Sequence, residues 1–244
     1  MKAFFEGVLL SLGYFSQIHL PYQVKEVSKK HYGFLALGLP FVGLVLGGIT
    51  VLLYKVLSFY VDSIYGGVVS CVVYFALYGF IHLEAMADII DAYYAKHSGK
   101  DVYVVLKDPN VGALGAIGTF SFMILKIIAI VYLLKMALFW QIVLVIVLSR
   151  FMAVVLIYRC KFHKDSKFIY KMKEGIDQKN LFLLSSLIIV VAFFINFWLL
   201  FLALFMTYFL QRFLQKNIGF LNGDGLGFVI EIVELFLFNV LILF

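Results

Sequence analysis

The chain has 244 residues, of which 64% are hydrophobic and only 14% charged, with a net charge of +6. A soluble domain carries roughly a quarter of its residues charged, so this composition excludes an ordinary water-soluble fold and points to an all-α, polytopic integral membrane helical bundle. Strict alternation of apolar and polar residues is absent, which argues against a β-barrel. In chain order, residues 3–20 read as a short helix in or dipping into the membrane interface. They do not read as a signal peptide, because Glu6 interrupts the apolar run and no small-residue cleavage site follows Leu10. Spans are expected at about 33–60, 66–95, 111–134 and 136–158, then over a long run at 181–210, and last at about 226–244. The 181–210 run is long for one helix. A hairpin of two helices turning near Asn196 is preferred, giving about seven transmembrane helices in a single domain, 1–244.

Charge sets the orientation. Basic residues gather in 21–32 (Lys25, Lys29, Lys30), in 96–110 (Lys96, Lys100, Lys107) and in 159–180, where Arg159 is followed by six lysines. The connections near Asp62 and Lys135 are almost free of them, so the basic loops are expected on the cytoplasmic side and the C-terminus outside. The positive charge therefore reports topology and implies no nucleic-acid partner. Two cysteines, Cys71 and Cys160, are too few for a disulfide framework or a structural zinc site.

The segment from His82 to Asp91 carries Glu84, Asp88 and Asp91 at i, i+4 and i+7. At about 100° per residue these share one helix face, with His82 off the stripe. Carboxylates at membrane depth cost about 2.5–3.5 kcal/mol each and persist when a cation neutralises them. All-oxygen donors suit a hard ion, Mg2+ or Mn2+. The bland alternative is a helix end protruding into water. Lys107-Asp108-Pro109 resembles a helix start with Asp108 as N-cap and Pro109 in the first turn. Otherwise Asp108 is a further metal or substrate contact, with Lys107 available for phosphate. Arg150 falls inside a predicted span and needs an anionic partner, while Arg159 stands at that helix's end. Asn222-Gly223-Asp224-Gly225 opens the last helix, which carries Glu231 and Glu234; Asp224 is either a turn residue or a site acid, and the two glutamates again demand partners. No P-loop, His-Glu-x-x-His pair or Gly-x-Ser-x-Gly elbow is present, leaving a hard metal beside basic residues, the equipment of phosphoryl transfer.

Gly79-Phe80-Ile81-His82-Leu83-Glu84-Ala85-Met86-Ala87-Asp88-Ile89-Ile90-Asp91 resembles the Gly-x-x-His-Leu-Asp-Gly-Leu-Ala-Asp-x-x-Asp-Gly signature of the cobalamin synthase family, the adenosylcobinamide-GDP ribazoletransferases. Lys107-Asp108-Pro109-Asn110-Val111-Gly112 is similar to its Arg/Lys-Asp-Ser-Arg-x-Gly block, and Ser149-Arg150 and Tyr158-Arg159 to two later landmarks. Asn222-Gly223-Asp224-Gly225-Leu226-Gly227 with Glu231 and Glu234 resembles its Thr-Gly-Asp-x-x-Gly-Ala-x-x-Glu-x-x-Glu ending. Phe15-Ser16-Gln17-Ile18-His19-Leu20-Pro21 and Leu39-Pro40-Phe41-Val42-Gly43 fit as well, so the likeness runs in order along nearly the whole chain. Departures are Glu84 for an Asp, Ala85 and Ala92 for glycines, and Gln17 and Asn110 for arginines.

The resemblance implies a Mg2+-dependent enzyme of a prokaryotic cytoplasmic (inner) membrane, its active site facing the cytoplasm. It would join adenosylcobinamide-GDP to α-ribazole or its 5′-phosphate and release GMP. Glu84, Asp88 and Asp91, with Asp108 or Asp224, would hold the metal against the pyrophosphate, and Lys107, Arg150 and Arg159 would neutralise phosphate. A carboxylate, Asp91 among the candidates, would take the hydroxyl proton. The lipid bilayer and both substrates are the implied partners, and a second copy of the chain is a further candidate. Rival readings are a cation-coupled transporter, an inactive scaffold, and a CDP-alcohol phosphotransferase, whose Asp-Gly-x-x-Ala-Arg opening would require an Arg at Asp88.

Overall fold

The computed structural model describes residues 2–18, 24 and 26–243. His19, Leu20 and Pro21 of the N-terminal motif, Lys25 of the first basic loop and the terminal Phe244 lie outside the described residues. The described chain is helical. It opens with α1 (Lys2–Phe15), α2 (Lys29–Leu37), α3 (Leu39–Leu57), α4 (Ser63–Leu77), α5 (Ile81–His97) and the single turn α6 (Val102–Val105). It continues with α7 (Ala113–Lys135), α8 (Phe139–Arg159), α9 (Lys167–Gly175), α10 (Gln178–Ile195), α11 (Phe197–Asn217) and α12 (Gly223–Leu243). Six helices, α3, α7, α8, α10, α11 and α12, are long and apolar enough to cross a membrane, and the bent pair α4–α5 makes a seventh span if counted as one.

Two expected spans are broken. The run at 33–60 divides at Gly38 into α2 and α3, where Pro40 in the first turn of α3 has no N–H to continue the preceding ladder. The run at 66–95 divides at Gly79 and Phe80, both in left-handed backbone (φ +66° and +57°), and the two halves meet at 80°. Glycine adopts that conformation without a Cβ penalty; Phe80 holds it at a cost that the surrounding packing must offset. The Gln17 side chain lies where a Cβ on Gly79 would project, and the Gln17 N–H donates to the Leu77 carbonyl (2.6 Å), so the segment after α1 clasps the bend. The long apolar run at 181–210 is two helices, parting at Asn196 as the hairpin reading requires.

Helix α8 forms the axis of the bundle. Nearly every residue from Leu144 to Ile157 is buried, against α3 on one side and α12 on the other. By contrast α10 buries only Ile188 and Ala192 and turns a broad apolar face outward, as a helix bathed in lipid does. Near the N-terminus, Glu6 of α1 meets His31 of α2 (2.9 Å), both buried, tying the first helix to the second.

Helix α5 lies across helix ends instead of among the spans. Its first turns rest on Gly227 in the first turns of α12, Asp91 reaches the start of α7, and the Lys96 ammonium donates to the carbonyl of Lys216 at the end of α11 (2.9 Å). The acidic stripe thus comes to the end of the bundle that carries the basic loops.

Candidate functional site

Three segments far apart in sequence meet at that end: the α5 stripe, the loop 106–112, and the loop 219–222 with the start of α12. Asp88 is half-buried, and its carboxyl is pushed up to about 6, first by burial and then by the negative charge of Asp224, Glu84 and Asp91. Burial and neighbouring negative charge thus act in the same direction on Asp88. Glu84 stands exposed in the first turn of α5. Asp224, in the first turn of α12, accepts from the Asn222 side-chain amide (2.6 Å), while Asn222 Oδ1 accepts from the Gly225 N–H (2.9 Å). Asn222 therefore caps the helix and aims Asp224 in one stroke.

Asp224 is shared by two cavities. One, of about 310 Å³, also has Lys107, Tyr103, His163 and Gly223 in its wall. The other, of about 200 Å³, is largely apolar and is lined by Phe15, His82, Ala85 and Leu226. Lys107 is exposed and close enough to bear on the charge of Asp224, so a phosphate at this mouth would meet a cation and a carboxylate together. His82 is buried, stacked on Tyr78 (5.2 Å between centroids), and its ring edge faces Gly227.

Asp91 belongs to the stripe but has other work. Its carboxylate accepts from the Gly112 N–H (Oδ2) and the Gly115 N–H (Oδ1), both at 2.7 Å. Those are orphan donors at the N-terminus of α7, whose own N-cap, Gly112, has no side chain to offer. A Cβ on Gly115 would run into this carboxylate, so the glycine is what lets α5 approach α7. Asp108 does not cap a helix, contrary to the sequence expectation: α7 begins at Ala113, and the exposed Asp108 carboxylate instead accepts from the Asn110 N–H (2.9 Å) and side-chain amide (2.8 Å). Those bonds hold its carboxyl below the usual carboxylate range. Asn110 thus locks the loop on Asp108. Among the described residues, no three of His, Cys, Asp and Glu are gathered tightly enough to hold a metal ion by themselves.

Arg150 does not join these groups. Fully buried in α8, its guanidinium pairs with Glu234 and donates to the Tyr74 hydroxyl (3.0 Å). A phosphate role was expected of it; in the fold its charge is matched by Glu234 inside the bundle. Glu234 also accepts from Tyr74 (2.8 Å) and Ser149 (2.8 Å), and the Lys126 ammonium lies 2.6 Å from both Glu231 and Glu234. Two cations and two carboxylates thereby tie α7, α8 and α12 together, with α4 joined through Tyr74. Lys126 was absent from the sequence expectation although its signal was present, a single ammonium inside the run Ile124-Leu125-Lys126-Ile127. Arg159 sits exposed in the last turn of α8.

The sequence model of the family described as cobalamin-5-phosphate synthase matches residues 7–242. The chain is 28% identical over 244 residues to a Clostridium perfringens (strain SM101) protein named adenosylcobinamide-GDP ribazoletransferase, covering 96% of each chain. A protein of the same name from Treponema denticola is 26% identical over 127 residues, which is 50% of this chain and 46% of that one. One from Chlorobium chlorochromatii is 33% identical over 122 residues, 48% of this chain and 46% of its own. The chain thus spans about half the length of two of these relatives and nearly all of the third. No solved structure matches it.

Proposed function

The chain belongs to the cobalamin-5-phosphate synthase family, and we propose that it is a transferase joining adenosylcobinamide-GDP to α-ribazole or α-ribazole 5′-phosphate, with GMP released. The observation that carries this reading is that Asp224 shares a cavity with Lys107 and bears on the charge of Asp88, which joins three distant motifs at one end of the bundle. The site would face the cytoplasm of a prokaryotic inner membrane, because it opens among the basic loops.

The donor set is compatible with a hard divalent cation. Mg2+ is commonly held by one or two carboxylates plus substrate phosphates and water, so the lack of a three-residue cage is no obstacle. One or two of Glu84, Asp88 and Asp224, together with substrate phosphate, would hold Mg2+ or Mn2+, and when bound the ion would screen the pyrophosphate charge and stabilise the leaving phosphate. Asp91 contributes from one turn further on, by fixing the start of α7 against α5. In the reaction the ribose 3′-hydroxyl oxygen of ribazole forms a bond to the cobinamide-linked phosphorus. The bond from that phosphorus to the bridging oxygen breaks, GMP leaves with that oxygen, and the hydroxyl proton passes to a carboxylate of the cluster. Lys107 would neutralise the phosphate as GMP departs. A cation-coupled transporter would need the intramembrane acids as an ion path, whereas Glu231 and Glu234 are already matched by Lys126 and Arg150.

The test is turnover in liposomes supplied with adenosylcobinamide-GDP, α-ribazole and Mg2+, with GMP and corrinoid product followed together. Asp88→Asn and Asp224→Asn should each lower turnover by about a hundredfold or more, on the scale of removing one preorganised charge-stabilising group, while eluting and melting like the parent protein. Folded parent protein that gives neither product with several lower-ligand bases sinks the reading.

A further inference from the structure

Beside Asp224, the 310 Å³ cavity has a wall that the transfer chemistry itself does not use. Three rings from three segments meet there: Tyr103 of α6, His163 after α8, and Phe220 before α12. His163 lies 4.7 Å, between centroids, from both Tyr103 and Phe220, and those two are 6.1 Å apart. The His163 N–H donates to the Leu221 carbonyl (2.7 Å), which joins the two loops and keeps the rings together. All three are half-buried, so each gives part of its surface to the cavity.

At the edge of this aromatic wall stands Asp165. Its carboxylate accepts from the Tyr103 hydroxyl and lies 3.6 Å from the His163 Nδ1. That fixes its position, yet a carboxylate offers about four acceptor directions and those contacts leave others open. Lys107 stands over the Tyr103 ring (5.7 Å) and also bears on Asp224. The order across the cavity is therefore acceptor, aromatic wall, cation, site acid. A nucleobase presents the matching order: a donor-bearing edge, a flat ring, and a phosphate chain leading away.

We propose that the Tyr103–His163–Phe220 cavity, with Asp165 at its edge, holds the guanine of the GDP-linked substrate, so that its phosphates run past Lys107 toward Asp224. This assignment rests on the transferase reading above. Guanine is the base whose edge carries two adjacent donors, N1–H and the 2-amino group, the pair a single carboxylate accepts. Adenine has an acceptor at N1 and would meet the carboxylate with like polarity. The lower-ligand base of ribazole has no such edge and matches better the neighbouring 200 Å³ cavity, whose wall is apolar apart from Asp224 and His82. The rings supply stacking for whichever base enters, and Asp165 supplies the choice.

The experiment is calorimetric titration of the purified full-length protein in detergent with GMP and with AMP, run beside the turnover assay. GMP should bind at least tenfold more tightly than AMP, on the scale of one bidentate edge contact. Asp165→Asn should erase that preference, and Phe220→Leu should weaken both nucleotides by up to about tenfold while leaving their ratio unchanged. Tyr103→Phe, which keeps the ring and frees the carboxylate, should retain most of the stacking and lose part of the preference. Equal binding of GMP and AMP by the parent protein, or an Asp165→Asn protein that still prefers GMP, overturns the assignment. So does full turnover by Asp165→Asn with an unchanged KM for adenosylcobinamide-GDP, which would leave the transferase reading intact. GMP preference dependent on Asp165, in a protein that forms no corrinoid product, would uphold the guanine site and remove the transferase reading.

Discussion

Two groups of carboxylates interrupt apolar sequence in this chain, and the fold treats them in opposite ways. Glu231 and Glu234 lie deep in the bundle, are almost wholly buried, and are met by Lys126 and Arg150 at ion-pair distance. Glu84, Asp88 and Asp224 gather at the end of the bundle that carries the basic loops, exposed or half-buried; the charges of Glu84 and Asp224 both bear on Asp88, and Asp224 has the Asn222 amide and Lys107 beside it. Charge that the protein has neutralised for itself is structural. Charge that it has assembled and left for something else to neutralise marks where a cation or a cation–phosphate complex belongs.

The sharpest way to break this contrast is to unpair the buried group. Lys126→Met removes one cation, leaving Glu231 without its ion-pair partner and Glu234 with Arg150 alone. The cost should be about 3–5 kcal/mol, seen as a collapse of the thermal midpoint in detergent or a loss of folded protein. Lys126→Met combined with Glu231→Gln removes a charge of each sign and should recover much of that stability. A single Lys126→Met protein as stable as its parent would mean the network is not structural, and the division drawn between the two groups would fail.

Much of this was legible in the sequence, and for physical reasons. The long apolar runs record the thickness of a bilayer directly, so the spans at 111–134 and 136–158 recur in α7 and α8 within a few residues. The demand of Arg150, Glu231 and Glu234 for partners was also plain, because charge in hydrocarbon is costly. Which partners they take was not, since Glu234 lies 84 positions from Arg150 and Glu231 lies 105 from Lys126. Nor does hydropathy register a bend inside an apolar run. Gly79 was visible, but that Phe80 also turns left-handed, sending α5 across the helix ends, follows from packing. The stripe spacing rightly placed Asp91 on the α5 face, yet its task of capping α7 depends on a helix start 22 residues later.

A subtler change tests whether the helix-end acids depend on that packing. Gly115→Ala adds no charge and, in an isolated helix, should stabilise by about 0.5–1 kcal/mol. Here the new methyl would meet the Asp91 carboxylate and the Ala87 carbonyl, so α5 must move away from α7. Stability should fall by about 1–3 kcal/mol, as overpacking does, and turnover should fall further than stability alone explains, because Asp88 shifts with its helix. A gain in thermal midpoint with unchanged turnover would show that the acids do not need this contact.

The smallest effect belongs to an acid with neither role. Asp62 lies exposed ahead of α4, accepting from the N–H groups of Ile64 (2.8 Å) and Tyr65 (3.3 Å). Asp62→Ala should cost about 1 kcal/mol through loss of the cap, read as a modest drop in thermal midpoint, with turnover per folded molecule unchanged. The comparison turns on that separation. Loss of one carboxylate should lower stability alone at Asp62 and turnover alone at Asp88; if turnover also fell at Asp62, the transfer reaction would be responding to helix packing in general, and the loss at Asp88 would no longer single out a site.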